Sequence, residues 1–571
     1  MLGSLLLLTA MLVPQGEQDR TLELMAAVRA QSAAGGGVVE LQRGTYHFFA
    51  PQATPVEVYV SNHDQPMPRP VQLPFEGVTN VTVNGNGSLF LFHGETSGLL
   101  LRNCRQVTLK GIAVDWADTS IFEGTIVATP EGGTEITVDR KAHPYRVENG
   151  RLVALGEGWE HPEFSESKLF DGVTHEVVRL AGDTLDQGFA QELPNGNLLL
   201  RYEYGKAGVG GKPGDKVCLR SKTKDKMSRP CPAVIVDRSS ATVLEDFIIH
   251  TAFGMGLIAQ MSDGLVWRGT KGADAKTSGM FPRAGTGRYA SANADASHFS
   301  NMKGLIHEEG IWFEGMMDDA INVHSTCMAI TNVLSRTAIR CRYMHRQAIG
   351  FDVFGAGDTL RLIRGNTLET GKEIRIVSVE RHGAWELTLN LTEALPEGWG
   401  CGDAVENADY QPSVIFRGNV VTCNRARGSL FTTPKPVLVE SNRFELVSGC
   451  AILFAGDAHY WYESGACQDV TVRGNVFSNC LTSAWSHGFC NGIISAYPIV
   501  HELEKQQKYY HANITIEDNL IYTFDATLFF GISCENCTWR GNKVVYNEYC
   551  PAWKKPKFVF KRCRDMNFSQ H

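Results

Sequence analysis

Val414-Ile415-Phe416-Arg417-Gly418-Asn419-Val420 is a short apolar strand broken by a Gly-Asn turn, and the unit recurs down the chain. It returns as Leu438-Val439-Glu440-Ser441-Asn442-Arg443-Phe444, Val472-Arg473-Gly474-Asn475-Val476-Phe477, Ile516-Glu517-Asp518-Asn519-Leu520-Ile521 and Trp539-Arg540-Gly541-Asn542-Lys543-Val544. The turn asparagines at 419, 442, 475, 519 and 542 are 23, 33, 44 and 23 residues apart. We read these intervals as one coil, one coil with a ten-residue loop, two coils of 22, and one coil. Self-similarity at such a period is the mark of a solenoid. Asparagine suits the corner because it tolerates left-handed backbone angles and can hydrogen-bond its neighbours. The spacing predicts an all-β chain built as a right-handed, single-stranded parallel β-helix.

Working outward, Val78 to Gly85, Val107 to Val114 and Val234 to Ile249 fit the same unit, so the coil is expected almost end to end. Asp19 to Ala30 places Leu22, Met25 and Val28 near one helical face with Asp19 as a cap, predicting a short helix over the open first coil. Two stretches change texture to alternating strands with charged residues and Gly/Pro turns, at about 120–230 and 353–410. Each predicts a small antiparallel β-barrel-like domain inserted in a coil loop. The expected layout is therefore a leader over 1–18, a cap helix and first coils to 119, the first insertion over 120–230, and central coils over 231–352. The second insertion then takes 353–410 and the last coils 411–571. A short helix or lid is expected near 497–510.

The chain has 571 residues with a formal charge of −8 and no Lys/Arg tract, which argues against a nucleic-acid partner. Leu5 to Val13 is an apolar run too short to span a bilayer but suited to the core of a signal peptide. Secretion or periplasmic export is expected, with no membrane span. Fifteen cysteines cannot all pair with one another, and Cys534 and Cys537 read as turn and core residues rather than a metal or redox motif.

Residues one coil apart in a β-helix lie about 4.8 Å apart at the backbone. Asp295 is 23 residues before Asp318 and 24 before Asp319, so three carboxylates are expected to cluster. Like charges so close separate their proton affinities, which is the requirement of glycoside hydrolysis. Both Asp318 and Asp319 can reach one site only at a bend, and Gly315 makes one available. Aromatic and apolar neighbours flank the pair, with His324 just beyond. Further candidates for holding a sugar are His345 and Arg346, one period on; Arg425 and Arg427; and Asp457, Trp461 and Glu463, which combine carboxylates with an aromatic face.

Asn293-Ala294-Asp295 followed by Asp318-Asp319 resembles the polygalacturonase arrangement of an Asn-x-Asp turn and an Asp-Asp pair. A closer resemblance, over nearly the whole chain, is to glycoside hydrolase family 110. It includes His143-Pro144-Tyr145-Arg146, Gly315-Met316-Met317-Asp318-Asp319-Ala320-Ile321-Asn322 and Asn424-Arg425-Ala426-Arg427-Gly428. That resemblance implies an exo-acting α-1,3-galactosidase on a β-helix with barrel-like insertions. It would remove terminal α-galactose from glycans such as blood-group B structures, with inversion and without metal or cofactor. It also implies Asp295, Asp318 and Asp319 as the catalytic group. By analogy with polygalacturonases Asp318 would be the acid, and Asp295 and Asp319 would activate water, although the Gly-His-Gly and Arg-x-Lys motifs of that family are not found in order. The residues alone leave open a calcium-dependent polysaccharide lyase, a non-catalytic glycan-binding spike, and assembly into a homo-oligomer.

Overall fold

The computed structural model describes residues 9–181, 189–201, 210–483, 489–551 and 555–568. The chain winds as a parallel β-helix whose coils stack three sheets, one on each side. Sheet 1 runs through Arg69–Glu76, Ser97–Arg102, Val234–Asp237, Leu257–Gln260, Ser297–Ser300, Ile321–Thr326, Ser429–Phe431, Ile452–Gly456 and Ile494–Pro498. Sheet 2 includes Lys303–Glu309, Ser413–Arg417, Val437–Glu440, Val470–Arg473 and His511–Glu517. Sheet 3 includes Trp312–Glu314, Val420–Thr422, Arg443–Glu445, Val476–Ser478 and Leu520–Thr523. Alternate residues enter the central core, among them Phe299, Val323, Phe416, Phe431, Phe444 and Phe477.

The turn asparagines work differently from their expected role. The left-handed residue at each corner is the one before: Gly418, Ser441, Gly474, Asp518 and Gly541, all with φ between 54° and 64°. The asparagines instead turn inward and stack. The Asn442 amide donates to Asn475 Oδ1 at 2.9 Å, Asn475 to Asn519 at 3.0 Å and Asn519 to Asn542 at 2.8 Å, while the backbone N–H of Asn419 donates to Asn442 Oδ1 at 2.9 Å. Each side chain also reaches the preceding coil, as when Asn442 donates to the Phe416 carbonyl. Because Asn475 and Asn519 are direct neighbours, the 44-residue interval is one coil, not two of 22. The extra length lies between Val476–Ser478 and Ile494–Pro498 and between Ile494–Pro498 and His511–Glu517.

Helix Thr21–Ala33 packs Leu24, Met25 and Val28 into the core at the open end. Leu22, expected on that face, is 69% exposed, and Leu24 takes its place. Asp19 accepts the Thr21 amide at 2.8 Å and the Phe49 amide at 2.7 Å, tying the helix start to the first coil. Of the apolar run read as a leader, Thr9–Leu12 is a strand in parallel register with Val38–Leu41, and residues 5–8 lie outside the described residues. Among the described residues no helix is long and apolar enough to cross a membrane.

A nine-stranded, mostly antiparallel sheet spans Ile121–Ala128 to Lys216–Lys222, between sheets 3 and 1. A closed six-stranded barrel spans Met328–Ser335 to Ala404–Asn407 around Ile330, Ile339, Leu360, Ile374, Leu389 and Val405. The barrel starts well before the change of texture at 353, because its first two strands, Met328–Ser335 and Ala338–Arg342, carry the same apolar alternation as coil strands. In the late loop, Leu503–Lys505 forms a single 3-10 turn. Cys534 and Cys537 are buried, and no disulfide joins the cysteines of the described residues.

Candidate active site

The carboxylates sit where sheet 3 turns into sheet 1. Asp295 precedes the strand Ser297–Ser300, and Asp318 and Asp319 precede Ile321–Thr326, its neighbour one coil on. Gly315, at φ +74°, starts the bend that lets both adjacent aspartates face one place; a Cβ there would meet the Tyr289 carbonyl at 2.3 Å. Oxygens of all three carboxylates lie within 4.8 Å of one another. Their side chains differ in access: Asp319 is 0% exposed, Asp295 3% and Asp318 12%, so Asp318 is the most open of the three.

Three guanidinium groups answer this charge. Arg229 donates to Asp318 Oδ2 at 2.9 Å, and Arg425 and Arg427 lie 3.7 Å from Asp318 Oδ1. Arg427 also donates through Nη2 to Asp319 Oδ2 at 2.6 Å and through its amide to Oδ1 at 3.1 Å. Asn424 holds this turn by donating to the Asp318 and Arg427 carbonyls. Burial raises the proton affinity of Asp318, but Arg427, Arg425 and Arg229 outweigh it and bring its pKa down to about 2. Burial and then Asp318 push Asp295 up to about 7. Asp319 is pushed up by burial and opposed by Arg427, whose own charged form is favoured by Asp319 and Asp318. Asp318 and Asp295 add to the upward push, but the 2.6 Å charge-assisted bond from the Arg427 guanidinium and the amide on the other oxygen hold Asp319 as the anion of a buried ion pair.

Behind Asp295 lies a second cluster. His298 Nδ1 is 2.6 Å from Asp295 Oδ2, its Nε2 is 2.8 Å from His324 Nε2, and His324 Nε2 is 3.6 Å from Glu463 Oε1. Both histidines sit on the outward side of sheet 1, alternating with core residues Phe299 and Val323. Glu463 arrives because Glu463–Ser464 pairs antiparallel with Ser325–Thr326, and the Asn62 amide donates to it at 2.7 Å. Although these groups converge, two imidazole nitrogens ligating one zinc ion would stand about 3.3 Å apart at metal–nitrogen distances near 2.05 Å. At 2.8 Å they are a hydrogen-bonded pair. In the aspartate cluster the arginines occupy the counter-charge role a metal would take.

The remaining candidates divide. Trp461 is 39% exposed, its ring 4.0 Å from that of His345 and 5.8 Å from the Arg229 guanidinium, so it borders the carboxylates. His345 comes near through a loop of the barrel insertion rather than by lying one coil along. Arg346 instead pairs with Asp64 at 3.0 Å, its side chain 60% exposed. Asp457 is buried and spends its carboxylate on the amides of His459, Tyr460, Trp461 and Tyr462, which shapes the loop that presents Trp461. His143 is buried against Phe122 in the first insertion, and Arg146 pairs on the surface with Glu148 and Glu160. The sequence reading missed His298, Arg229, Asn62 and Asp64. Asp64 accepts the Arg229 amide at 2.8 Å and so fixes that arginine. His298 had a signal, standing three residues after Asp295 on a strand whose outward side was assignable. The other three come from loops that no periodicity locates. A surface groove along Gly304, Leu305, Lys435 and Asp469 contains none of these groups.

A buried carboxylate cluster on a parallel β-helix, with an aromatic ring at its edge, has the acid and base groups that glycoside hydrolysis requires. Two family profiles match the chain: GLAA-B beta-barrel domain I over residues 122–212 and GLAA-B beta-barrel domain II over 338–405. Alpha-1,3-galactosidase B of Akkermansia muciniphila is 43% identical over 555 residues, covering 97% of this chain and 68% of that protein. Alpha-1,3-galactosidase B of Parabacteroides distasonis is 36% identical over 546 residues, covering 92% of this chain and 85% of that protein. The family 28 exopolygalacturonase of Yersinia enterocolitica aligns over 98% of this chain and 78% of its own at 11% identity and a TM-score of 0.35. The chain belongs to the α-1,3-galactosidases of glycoside hydrolase family 110, and it is a glycoside hydrolase.

Proposed function

We propose that the protein is an exo-acting α-1,3-galactosidase that removes terminal α-linked galactose from glycans such as blood-group B structures, with inversion at the anomeric carbon. The observation that carries the chemistry is the graded access of three clustered carboxylates. Asp318, the most open, is placed to reach the glycosidic oxygen. Asp295 and Asp319 are buried too deeply to attack a sugar carbon and can act only through a water molecule, which leads to inversion. Trp461 supplies a face for the C–H side of the galactose ring. In the free protein the arginines hold Asp318 anionic, so in this reading Asp318 takes up a proton from solvent as the substrate binds, before it acts as the acid.

One observation favours retention as the second reading. Oxygens within 4.8 Å of one another are closer than the roughly 6.5–9.5 Å typical of inverting pairs, and an anionic Asp318 beside a protonated Asp295 is a nucleophile beside an acid. Proton NMR of the anomeric signals during cleavage of Galα1-3Gal and of a fucosylated B-type trisaccharide separates the readings. First release of β-galactose supports inversion, and first release of α-galactose overturns it. No galactose from either glycan overturns the substrate assignment. Host glycans lie outside the cell, so the proposal includes export by the apolar run Leu5–Val13. N-terminal sequencing of the mature protein tests that step.

A further inference from the structure

We propose that His298 is a positioning residue for Asp295 and that His324, backed by Glu463, fixes the tautomer in which His298 donates a hydrogen bond to that carboxylate. The inference rests on the reading that Asp295 activates water.

The geometry runs one way. A neutral imidazole has one N–H and one lone pair, and the partner of one nitrogen decides the state of the other. Burial holds His298 well toward its neutral form, with a pKa near 4, and also lowers that of His324. Two neutral rings joined Nε2 to Nε2 at 2.8 Å must present one N–H and one lone pair between them. Glu463 selects which. Burial raises its proton affinity, but with both rings neutral the Asn62 amide, donating at 2.7 Å, and the Arg427 charge favour its anion, and that anion favours the proton on the His324 Nε2 facing it. His324 then donates to His298 Nε2, which leaves the His298 proton on Nδ1, 2.6 Å from Asp295 Oδ2. That bond fixes one carboxylate oxygen and leaves Oδ1, which accepts only the long 3.4 Å contact from the Asp319 amide, with a lone pair for water.

The bond also has electrostatic work to do. The charged groups acting on Asp295 are Asp318 and Glu463, which oppose its ionisation, and Arg229 and Arg427, which favour it. Asp319 adjoins it through an amide donated to Oδ1 at 3.4 Å. Around His298 stand Glu463, Asp318, Arg229, Arg427, His324 and, on the 59–65 loop, His63. A donated N–H is the contact in this set that favours the Asp295 anion and can be removed without removing a charge.

The test uses the full chain on Galα1-3Gal and follows kcat/KM against pH. His298→Leu should move the acidic limb upward by about one pH unit, because a hydrogen bond to the charged form favours it. His298→Asn, whose amide N–H falls where Nδ1 lies, should bring the limb back. His324→Leu should shift the limb in the same direction, whereas His324→Gln, which keeps an N–H at the Nε2 position, should not. If His298→Leu fails to fold, the His324 pair carries the comparison. Limbs that coincide in all folded variants overturn the inference. Asp295→Asn serves as the separate control: full activity there overturns the reading of Asp295 itself, while an inactive Asp295→Asn beside an unmoved His298→Leu limb overturns only the positioning role.

Discussion

Replacing Arg427 with methionine keeps most of the volume of a side chain that is only 16% exposed and removes its charge. Asp319 then loses a 2.6 Å ion pair in a fully buried setting. Breaking one partner of a buried pair costs about 3–5 kcal/mol. The cost depends on pH, and its sign follows from where the proton goes. With the Arg427 guanidinium gone, burial and the carboxylates of Asp318 and Asp295 push Asp319 further above its unfolded value, opposed by the backbone amide of residue 427 that still donates to Oδ1. A carboxylate whose folded pKa is raised is stabilising below its unfolded pKa, and that stability is lost as pH rises towards the folded pKa. Each pH unit in that window changes stability by about 1.4 kcal/mol, so the variant should regain stability on going from pH 7.5 to pH 5.5, by at most roughly 2.7 kcal/mol. Thermal unfolding followed by circular dichroism at both pH values measures this, with wild type as reference and Asp319→Asn as the second arm of a double-mutant cycle. In the Asp319→Asn background the Arg427 substitution should cost much less. A penalty that is equal at both pH values, or unchanged by Asp319→Asn, would refute an ion pair between these two residues.

Four further outcomes follow from the same geometry. Asp318→Asn should lower kcat/KM on Galα1-3Gal by at least about 100-fold, the scale expected for loss of an acid–base group, and should also lower the unfolding temperature, because it leaves the buried Arg229 charge without its 2.9 Å partner. With Asp295 at about 7 and required as the anion, kcat/KM should rise with pH through that region, and the apparent value belongs to the coupled cluster rather than to one residue. Trp461→Ala should raise KM by about 2- to 10-fold with a smaller change in kcat, as expected for loss of a ring contact of roughly 0.5–1.5 kcal/mol; an unchanged KM places the sugar elsewhere. Asn442→Ala strips acceptor and donor from the interior stack and should cost about 1–3 kcal/mol in unfolding experiments, leaving the pH profile of activity in place.

The solenoid was legible because its physics is local. A short apolar strand, a corner and a return recur often enough that the period survives insertions. The corner asparagines show the limit of that reading: sequence marks where they stand but not whether an amide turns its backbone or its side chain inward, and the left-handed duty fell to the residue before. The interval between Asn475 and Asn519 equals two coils in length and is one coil in space, since length alone cannot tell a coil from a loop. Asp295, Asp318 and Asp319 were found together because coil arithmetic converts sequence distance to contact. Arg229, Asn62 and Asp64 escaped because they reach the site from the 59–65 loop and from the end of the first insertion, where no repeat fixes position. Arg425 and Arg427 were found as residues, but that Arg427 closes on Asp319 emerged only from the fold.

The amide stack has a consequence for how this scaffold can change. Between sheets 2 and 3, in every coil that carries it, the connection is two residues long: 418–419, 441–442, 474–475, 518–519 and 541–542. Each amide must meet the one above, so in these coils this edge has no room for growth, whereas the connection 269–278, outside the stack, runs to ten residues. The nine-stranded sheet, the six-stranded barrel and the loop that carries Trp461 all leave at the other two edges. The molecule thus has a bound spine and two free margins, like the pages of a book. New substrate preferences can be written at the margins by lengthening loops there, without renumbering the coil.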